Sequence, residues 1–294
     1  MKYQSLSEYV TKTYGHKLYK VSIDGGFTCP NRDGTIGTGG CIFCLDGSGA
    51  FAQNRKESIT TQIENGKKLI EAKAGKNAKY IAYFQSFTGT YGPIDDLRSK
   101  YMEAVLNPDT EVISIATRPD CVNPEVLNLL NEINQIKPVW VELGLQTIHE
   151  TTAEVIRRGY SLDVYKEAVE ALNNLGIKVI THMIIGLPGE SSDMIVETAR
   201  YIGQSGSWGI KFQLLHILEG TELASMYDRG EFNALTLEEY ADILVECLRV
   251  IPDSMVVHRI TGDGDKKHLI APLWSGNKKY VLNYLNKRIL EANK

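Results

Sequence analysis

The sequence predicts an α/β protein whose strands pair in parallel. Six short apolar strand patterns alternate with amphipathic helical patterns between residues 18 and 218. The residues that suggest chemistry fall just after the carboxyl ends of those strands. A strand, helix, strand order needs a crossover and therefore favours parallel neighbours. A partial or complete barrel and an open doubly wound sheet both satisfy the pattern, and both place function at the carboxyl edge. With 294 residues, 43% of them hydrophobic, the chain builds a sizeable core without disulfides or a structural metal.

The strands are expected at 18–24, 79–85, 111–117, 139–146, 178–185 and 210–218, where β-branched and aromatic residues cluster. Between them, apolar residues at helical spacing mark 57–74, 94–106, 124–134, 149–158 with 162–175, and 191–204. Two later helices are expected at 236–250 and 276–292, and 255–260 reads as an extra strand. Residues 1–220 are assigned to the sheet unit with an N-terminal extension, and 221–294 to a C-terminal α/β extension packed on it. The N-terminal segment MKYQSLSEYVTKTYGHK lacks the apolar stretch of a secretory signal. No apolar run reaches the roughly 18–20 residues that span a bilayer. A cytoplasmic protein with no membrane attachment is expected.

A cytoplasmic setting disfavours disulfides, so clustered cysteines point to metal binding or chemistry. There are five cysteines. Cys29, Cys41 and Cys44 lie in one loop after the first strand, as C-x11-C-x2-C with a glycine-rich excursion between the first two. Glycine permits the turns that return Cys29 to the same centre. A zinc site would want a fourth ligand; His16 is available but precedes the first strand. An iron–sulfur cube on three thiolates leaves one iron open, and the position at the carboxyl edge favours it. Cys121 and Cys247 read as buried small hydrophobes. Gly37-Thr38-Gly39-Gly40 fails the dinucleotide pattern, and Asp263-Gly264-Asp265 fails the EF-hand pattern.

Several motifs in order resemble the radical S-adenosylmethionine (SAM) superfamily. The three-cysteine loop is an extended variant of that family's C-x3-C-x2-C. Val141-Glu142-Leu143-Gly144-Leu145-Gln146 followed by Arg157-Arg158-Gly159 is similar to a fourth-strand signature. That signature is shared by the Elongator catalytic subunit and oxygen-independent coproporphyrinogen dehydrogenases. Thr117-Arg118-Pro119-Asp120 and Gly186-Leu187-Pro188-Gly189-Glu190 resemble loops of the same group. The chain most resembles small bacterial members without an acetyltransferase domain. The resemblance covers about residues 18–220 and implies a partial (β/α)6 barrel with a C-terminal α/β extension.

It also implies a [4Fe–4S] cluster on Cys29, Cys41 and Cys44, with SAM as cofactor and Phe43 beside the adenine. Strand alternation places Glu142, Gly144 and Gln146 on one face, inward in a helix-wrapped barrel, so Glu142 and Gln146 can bond ribose or methionine groups. A satisfied structural pair in the core is the ordinary alternative. The resemblance assigns Arg158 to the SAM carboxylate, with Arg157 as its competitor in helix register. Gln85 and Ser86 replace the glycine-rich motif at the SAM amino group, and Thr117 ends the third strand at the same edge. His182 stands where relatives carry an aspartate, and is either a ribose contact or a bonded core residue. Lys211 and Gln213 are placed inward, within reach of SAM or substrate.

The relatives imply a tRNA substrate, modified on the C5 side chain of the wobble uridine, and trimming of a carboxymethylaminomethyl group is one form. A reductant such as flavodoxin or ferredoxin is implied as partner. The net charge of −4 gives no global attraction to RNA. From His258 onward, however, eight Lys or Arg face three Asp or Glu. Lys266, Lys267, His268, Lys278, Lys279, Lys287 and Arg288 are candidates for phosphate contact, or form an ordinary solvated surface. A radical SAM enzyme on a small metabolite or porphyrin and a non-catalytic metal-binding or scaffold protein are the alternatives.

Overall fold

The computed structural model describes residues 3–45, 52–75 and 77–293. The main strands are β1 (Gln4–Ser5), β2 (Leu18–Ile23), β3 (Lys79–Phe84), β4 (Thr110–Thr117), β5 (Val139–Gln146), β6 (Lys178–Ile185), β7 (Gly209–Leu214) and β9 (Val256–Arg259). They form one sheet in the order β1-β9-β7-β6-β5-β4-β3-β2, and every neighbouring pair is parallel. A separate antiparallel pair joins β8 (Ile217–Leu218) to β10 (Leu269–Ala271).

The helices are α1 (Leu6–Tyr14), α2 (Ile59–Ala74), α3 (Ile94–Leu106), α4 (Pro124–Asn134), α5 (Glu150–Val155), α6 (Leu162–Asn174), α7 (Ser192–Gln204), α8 (Glu222–Asp228), α9 (Leu237–Val250) and α10 (Lys278–Glu291). None of the described helices is long and apolar enough to cross a membrane.

The sheet curls into a partial barrel. Lys20 on β2 and Lys211 on β7 are separated by four intervening strands, yet both bond the carboxylate of Glu142 on β5. Only a strongly curved wall brings those side chains to one point. Strand alternation then separates two environments. Val141, Leu143 and Leu145 face outward and are fully buried with Leu129, Leu130 and Ile133 of α4 in the principal core. Inward-facing Lys20, Ser22, Gly144, Gln146, His182 and Gln213 are only half-buried, so the lumen opens toward the carboxyl edge.

The amino-terminal end is closed by α1, an element not anticipated from the sequence. Ser5 and Glu8 form a reciprocal capping box, and Gly15 ends the helix at φ 77°. Val10 of this helix packs with Ile81, Val112, Trp140 and Ile180 across the barrel floor. The expected strand 210–218 is two elements, β7 and β8, because the chain leaves the barrel at Leu215 and His216 to pair with β10. The segment after residue 220 supplies β9 to the main sheet, and α9 packs on α7.

Candidate active site at the carboxyl edge

The cysteine loop follows β2 and is folded on itself. The Cys29 carbonyl accepts from Arg32 N at 2.8 Å and Asp33 N at 3.1 Å, and the Asn31 carbonyl accepts from Gly40 N at 2.7 Å. Gly40 lies at φ 72°, and a Cβ there would meet the Arg32 side chain at 2.9 Å. Asn31 Nδ2 donates to the Arg157 carbonyl at 2.6 Å and lies 3.6 Å from Cys41 Sγ. Arg32 donates to the carbonyls of Cys44 and Leu45. The tip is also held from outside the barrel, since Ile42 N donates to Ile156 O and Ile42 O accepts from Leu223 N. Ile42 and Phe43 pack there with Ile156, Leu187, Ile217 and Leu223.

Cys29, Cys41 and Cys44 are neighbours: burial first, then Cys44, pushes the Cys41 thiol up to about 11, and Cys29 adds to that direction. Among the described residues no three His, Cys, Asp or Glu side chains converge on a single ion. In a cube each thiolate would take its own iron. His16 is exposed before β2, at the opposite end of the barrel. Cys121 and Cys247 are buried thiols.

Below the rim, the lumen centres on Glu142. Its side chain is fully buried and accepts from Ser114 Oγ at 2.8 Å, Lys20 Nζ at 3.4 Å, Lys211 Nζ and His182 Nε2 at 2.8 Å. Gln213 Nε2 donates to His182 Nδ1 at 3.1 Å, which assigns the ring proton to Nε2, facing the carboxylate. Burial, and next the Lys211 ammonium, lower the His182 pKa to about 4. Burial opposes ionisation of Glu142, but Lys20 and Lys211 outweigh it and hold the carboxyl well below its ordinary range. His182 is thus a bonded member of this network. Lys211 and Gln213 face inward as expected and meet Glu142, Tyr83 and His182.

At the rim, two expected residues carry polar atoms without partners. Gln146 Oε1 and Ser86 Oγ are buried and make no hydrogen bond. Gln85 accepts from Ser22 Oγ at 3.1 Å. The Thr117 hydroxyl is engaged by Thr90 Oγ1 at 2.6 Å, tying β4 to the loop after β3. Phe87, Gln146 and Arg157 are the non-glycine residues at positive φ among the described residues. One follows β3, one ends β5 and one supplies the carbonyl beside Cys41. Strain of this kind, about 1–3 kcal/mol per residue, persists where the surroundings over-determine it, as at functional sites.

The arginines differ from expectation. Arg158 is almost wholly buried, and its guanidinium donates to Tyr160 O at 2.9 Å, Leu145 O at 3.4 Å, Thr147 O at 2.6 Å and Glu150 Oε2 at 3.0 Å. It acts as a bracket joining β5 to the following turn, since carbonyls exposed at the strand end recruit it. Arg157 turns outward to pair with Glu222 of α8 at 2.6 Å. Arg118 is the arginine whose field reaches both Cys29 and Cys41. It forms a two-pronged pair with Asp120 at 2.9 and 2.7 Å and stacks 4.9 Å from the Tyr160 ring centroid. Asn31, Arg118 and Lys20 were not singled out from sequence. Arg118 sat in a quoted motif, whereas no signal marked Asn31.

The C-terminal cations are divided. Lys266, Lys267 and His268 are exposed after β9 at the carboxyl edge, and Lys278 pairs with Asp263 at 2.7 Å. Lys287 and Arg288 lie roughly 14 Å further along α10. There Arg288 is paired with Asp242, and Lys287 is 3.8 Å from Glu291.

A family model described as "Radical SAM superfamily" matches residues 32–202, more than half of the chain. The chain belongs to the radical SAM superfamily. The superfamily's C-terminal domain model matches residues 207–291. YtqA of Bacillus subtilis is 45% identical over 289 residues, covering 98% of this chain and 89% of that protein. A tRNA uridine(34) acetyltransferase of Methanocaldococcus infernus is 29% identical over 184 residues, covering 61% of this chain and 34% of that one. The solved structure of an Elp3 from the same archaeon, lacking its first 46 residues, superposes with a TM-score of 0.69 at 20% identity. That match covers 92% of this chain and 63% of the other.

This radical SAM enzyme uses a [4Fe–4S] cluster and SAM, and its residues fit them. Three thiols share one loop, Ser86 Oγ after β3 and Gln146 Oε1 at the end of β5 are buried without partners, and the Gln146 side chain lies over Gly144. A Cβ at Gly144 would meet Gln146 Nε2 at 2.9 Å and Thr117 O at 3.9 Å. Gly144→Ala is expected to fold normally but to displace the Gln146 amide, weakening SAM binding roughly tenfold or more. Equilibrium dialysis with labelled SAM measures this, and unchanged affinity would remove Gly144 and Gln146 from the cofactor site.

Proposed function

We propose that Cys29, Cys41 and Cys44 ligate the cluster, that Gln146, Ser86 and Gln85 line the SAM site, and that the enzyme modifies the C5 side chain of a tRNA wobble uridine. Held by Cys29, Cys41 and Cys44, a cluster with SAM bound beside it would supply radical chemistry at the barrel mouth. The chain's own groups hold the loop, orient SAM and keep water from the lumen floor. The observation that carries the RNA reading is the sequence likeness to a tRNA uridine(34) acetyltransferase over 61% of this chain. Trimming of a carboxymethylaminomethyl group is the specific form proposed. Exposed Lys266, Lys267 and His268 at the same edge suit phosphate contact. Flavodoxin or ferredoxin is the proposed electron source.

The test is 5′-deoxyadenosine formation by anaerobically reconstituted enzyme with dithionite, with and without bulk tRNA. Stimulation by tRNA, followed by a changed wobble nucleoside in mass spectrometry, is the expected result. Formation indifferent to tRNA would leave the chemistry standing and turn the substrate toward a small molecule.

A further inference from the structure

The lumen carries more positive charge than its single buried carboxylate balances. Lys20, Lys211 and Arg259 occupy one layer: Lys20 and Lys211 flank Glu142, and Arg259 stands beside Lys211 in register on the next strand. Both lysine ammoniums lie over the Tyr83 ring, at 4.7 and 4.5 Å from its centroid. Arg259 has one long contact, 3.4 Å to Asp263, and that carboxylate is held more closely by Lys278 at 2.7 Å. Among the described residues, the carboxylate partner of Lys20 is Glu142, at a long 3.4 Å. The nearby histidines add no negative charge. Burial lowers the Lys211 pKa and Lys20 and Arg259 add to that direction, while the Glu142 carboxylate opposes it and favours the ammonium.

We infer that Lys20, Lys211 and Arg259 form an anion subsite in the barrel lumen that takes a carboxylate of the substrate. The side chains of Lys20 and Arg259 are 27% and 38% exposed, so the subsite is reached from the open edge. Cations held in partly dry surroundings with weak partners are costly unless a ligand completes them. A planar arginine fork with a lysine point charge suits a carboxylate. The excess of positive charge is small, which suits a monoanion better than a phosphate dianion. The SAM contacts proposed above lie at the rim, above this layer, which leaves the lumen cations to the substrate. The inference rests on the wobble-uridine reading and names the group recognised there, the carboxylate of a carboxymethylaminomethyl side chain.

The test uses reconstituted enzyme and three anticodon stem-loops. One bears 5-carboxymethylaminomethyluridine, one its neutral amide and one 5-aminomethyluridine. The carboxylate RNA is expected to show a KM roughly tenfold or more below that of the amide, and Lys20→Met and Arg259→Leu should each erase that difference. Lys211 is left in place, because its removal would strand Glu142. Equal KM values for the carboxylate and amide RNAs with the unaltered enzyme would overturn the subsite while leaving the RNA reading intact, the 5-aminomethyluridine RNA serving as the product control. Loss of SAM affinity in either variant would give the cations to the cofactor's own carboxylate and also overturn it. Should no RNA stimulate turnover, the free nucleosides decide by calorimetry. A carboxylate preference abolished by the two variants would sustain the subsite without RNA. No preference, or displacement by inorganic phosphate alone, would end it.

Discussion

Cys41→Ala is expected to lower 5′-deoxyadenosine formation from SAM by at least about 100-fold. That exceeds the 10–100-fold typical for loss of an outer-shell partner of a metal site, because a direct ligand is lost. Iron retained after desalting should fall in parallel. The barrel should stay folded, since the loop lies outside the strands and is held by bonds that do not involve the sulfur. Those bonds run from Ile42 to Ile156 and Leu223 and from Asn31 to the Arg157 carbonyl. Iron analysis, product chromatography and thermal unfolding report the three quantities separately. Cys247→Ala is the matched control, because that thiol is buried between helices far from the loop in sequence and bonds only weakly to Ile195 O. Unchanged product formation by Cys41→Ala would remove this cysteine from the cluster.

Glu142→Leu should be the most destabilising single change in the lumen, costing about 3–5 kcal/mol, the range for removing one partner of a buried ion pair. It strands the buried Lys211 and withdraws the acceptor of Ser114 and His182. Urea unfolding measures the loss. Adding Lys211→Met to it should recover part of the stability, because the pair is then replaced by apolar groups rather than broken. No recovery would mean that Lys20 and Ser114, not Lys211, define the cost.

The same network sets an acid limit. Glu142 ionises more readily folded than unfolded, so its contribution is present above the unfolded carboxyl value and is lost as pH falls through its depressed folded value. His182 is lowered to about 4 from an ordinary 6.5, so between those values the unfolded chain binds more protons. Stability should therefore decline as pH drops from 6.5 toward 4, and His182→Gln, which removes the group whose titration falls in that window, should make that decline less steep. An equally steep decline in the variant would place the acid sensitivity elsewhere.

The strands β2 to β6 and most helices were legible within about a residue or two, because parallel strands sealed by helices show near-continuous apolar runs. Alternation along Val141 to Gln146 also separated the faces correctly: Glu142, Gly144 and Gln146 point to the lumen. The helix α1 was missed despite its Ser5 and Glu8 capping signal, since nine residues with one deeply buried side chain carry little periodicity. β7 was drawn through to residue 218 because its apolar run continues unbroken into β8, and only pairing with β10 shows where it leaves the sheet.

By itself, then, the sequence determined the fold class, the edge that carries chemistry and the three-thiol loop, because these follow from local periodicity and short spacing. The tertiary structure alone decided which charges meet. Lys20 and Glu142 are 122 residues apart, and no pattern in either strand announces that a curled sheet will place both on one carboxylate with Lys211. It also decided the arginine question. Arg157 and Arg158 are adjacent in sequence, but a left-handed turn at Arg157 sends one to α8 and folds the other under the β5 carbonyls. Helix register could not foresee this, because the helix ends at Val155.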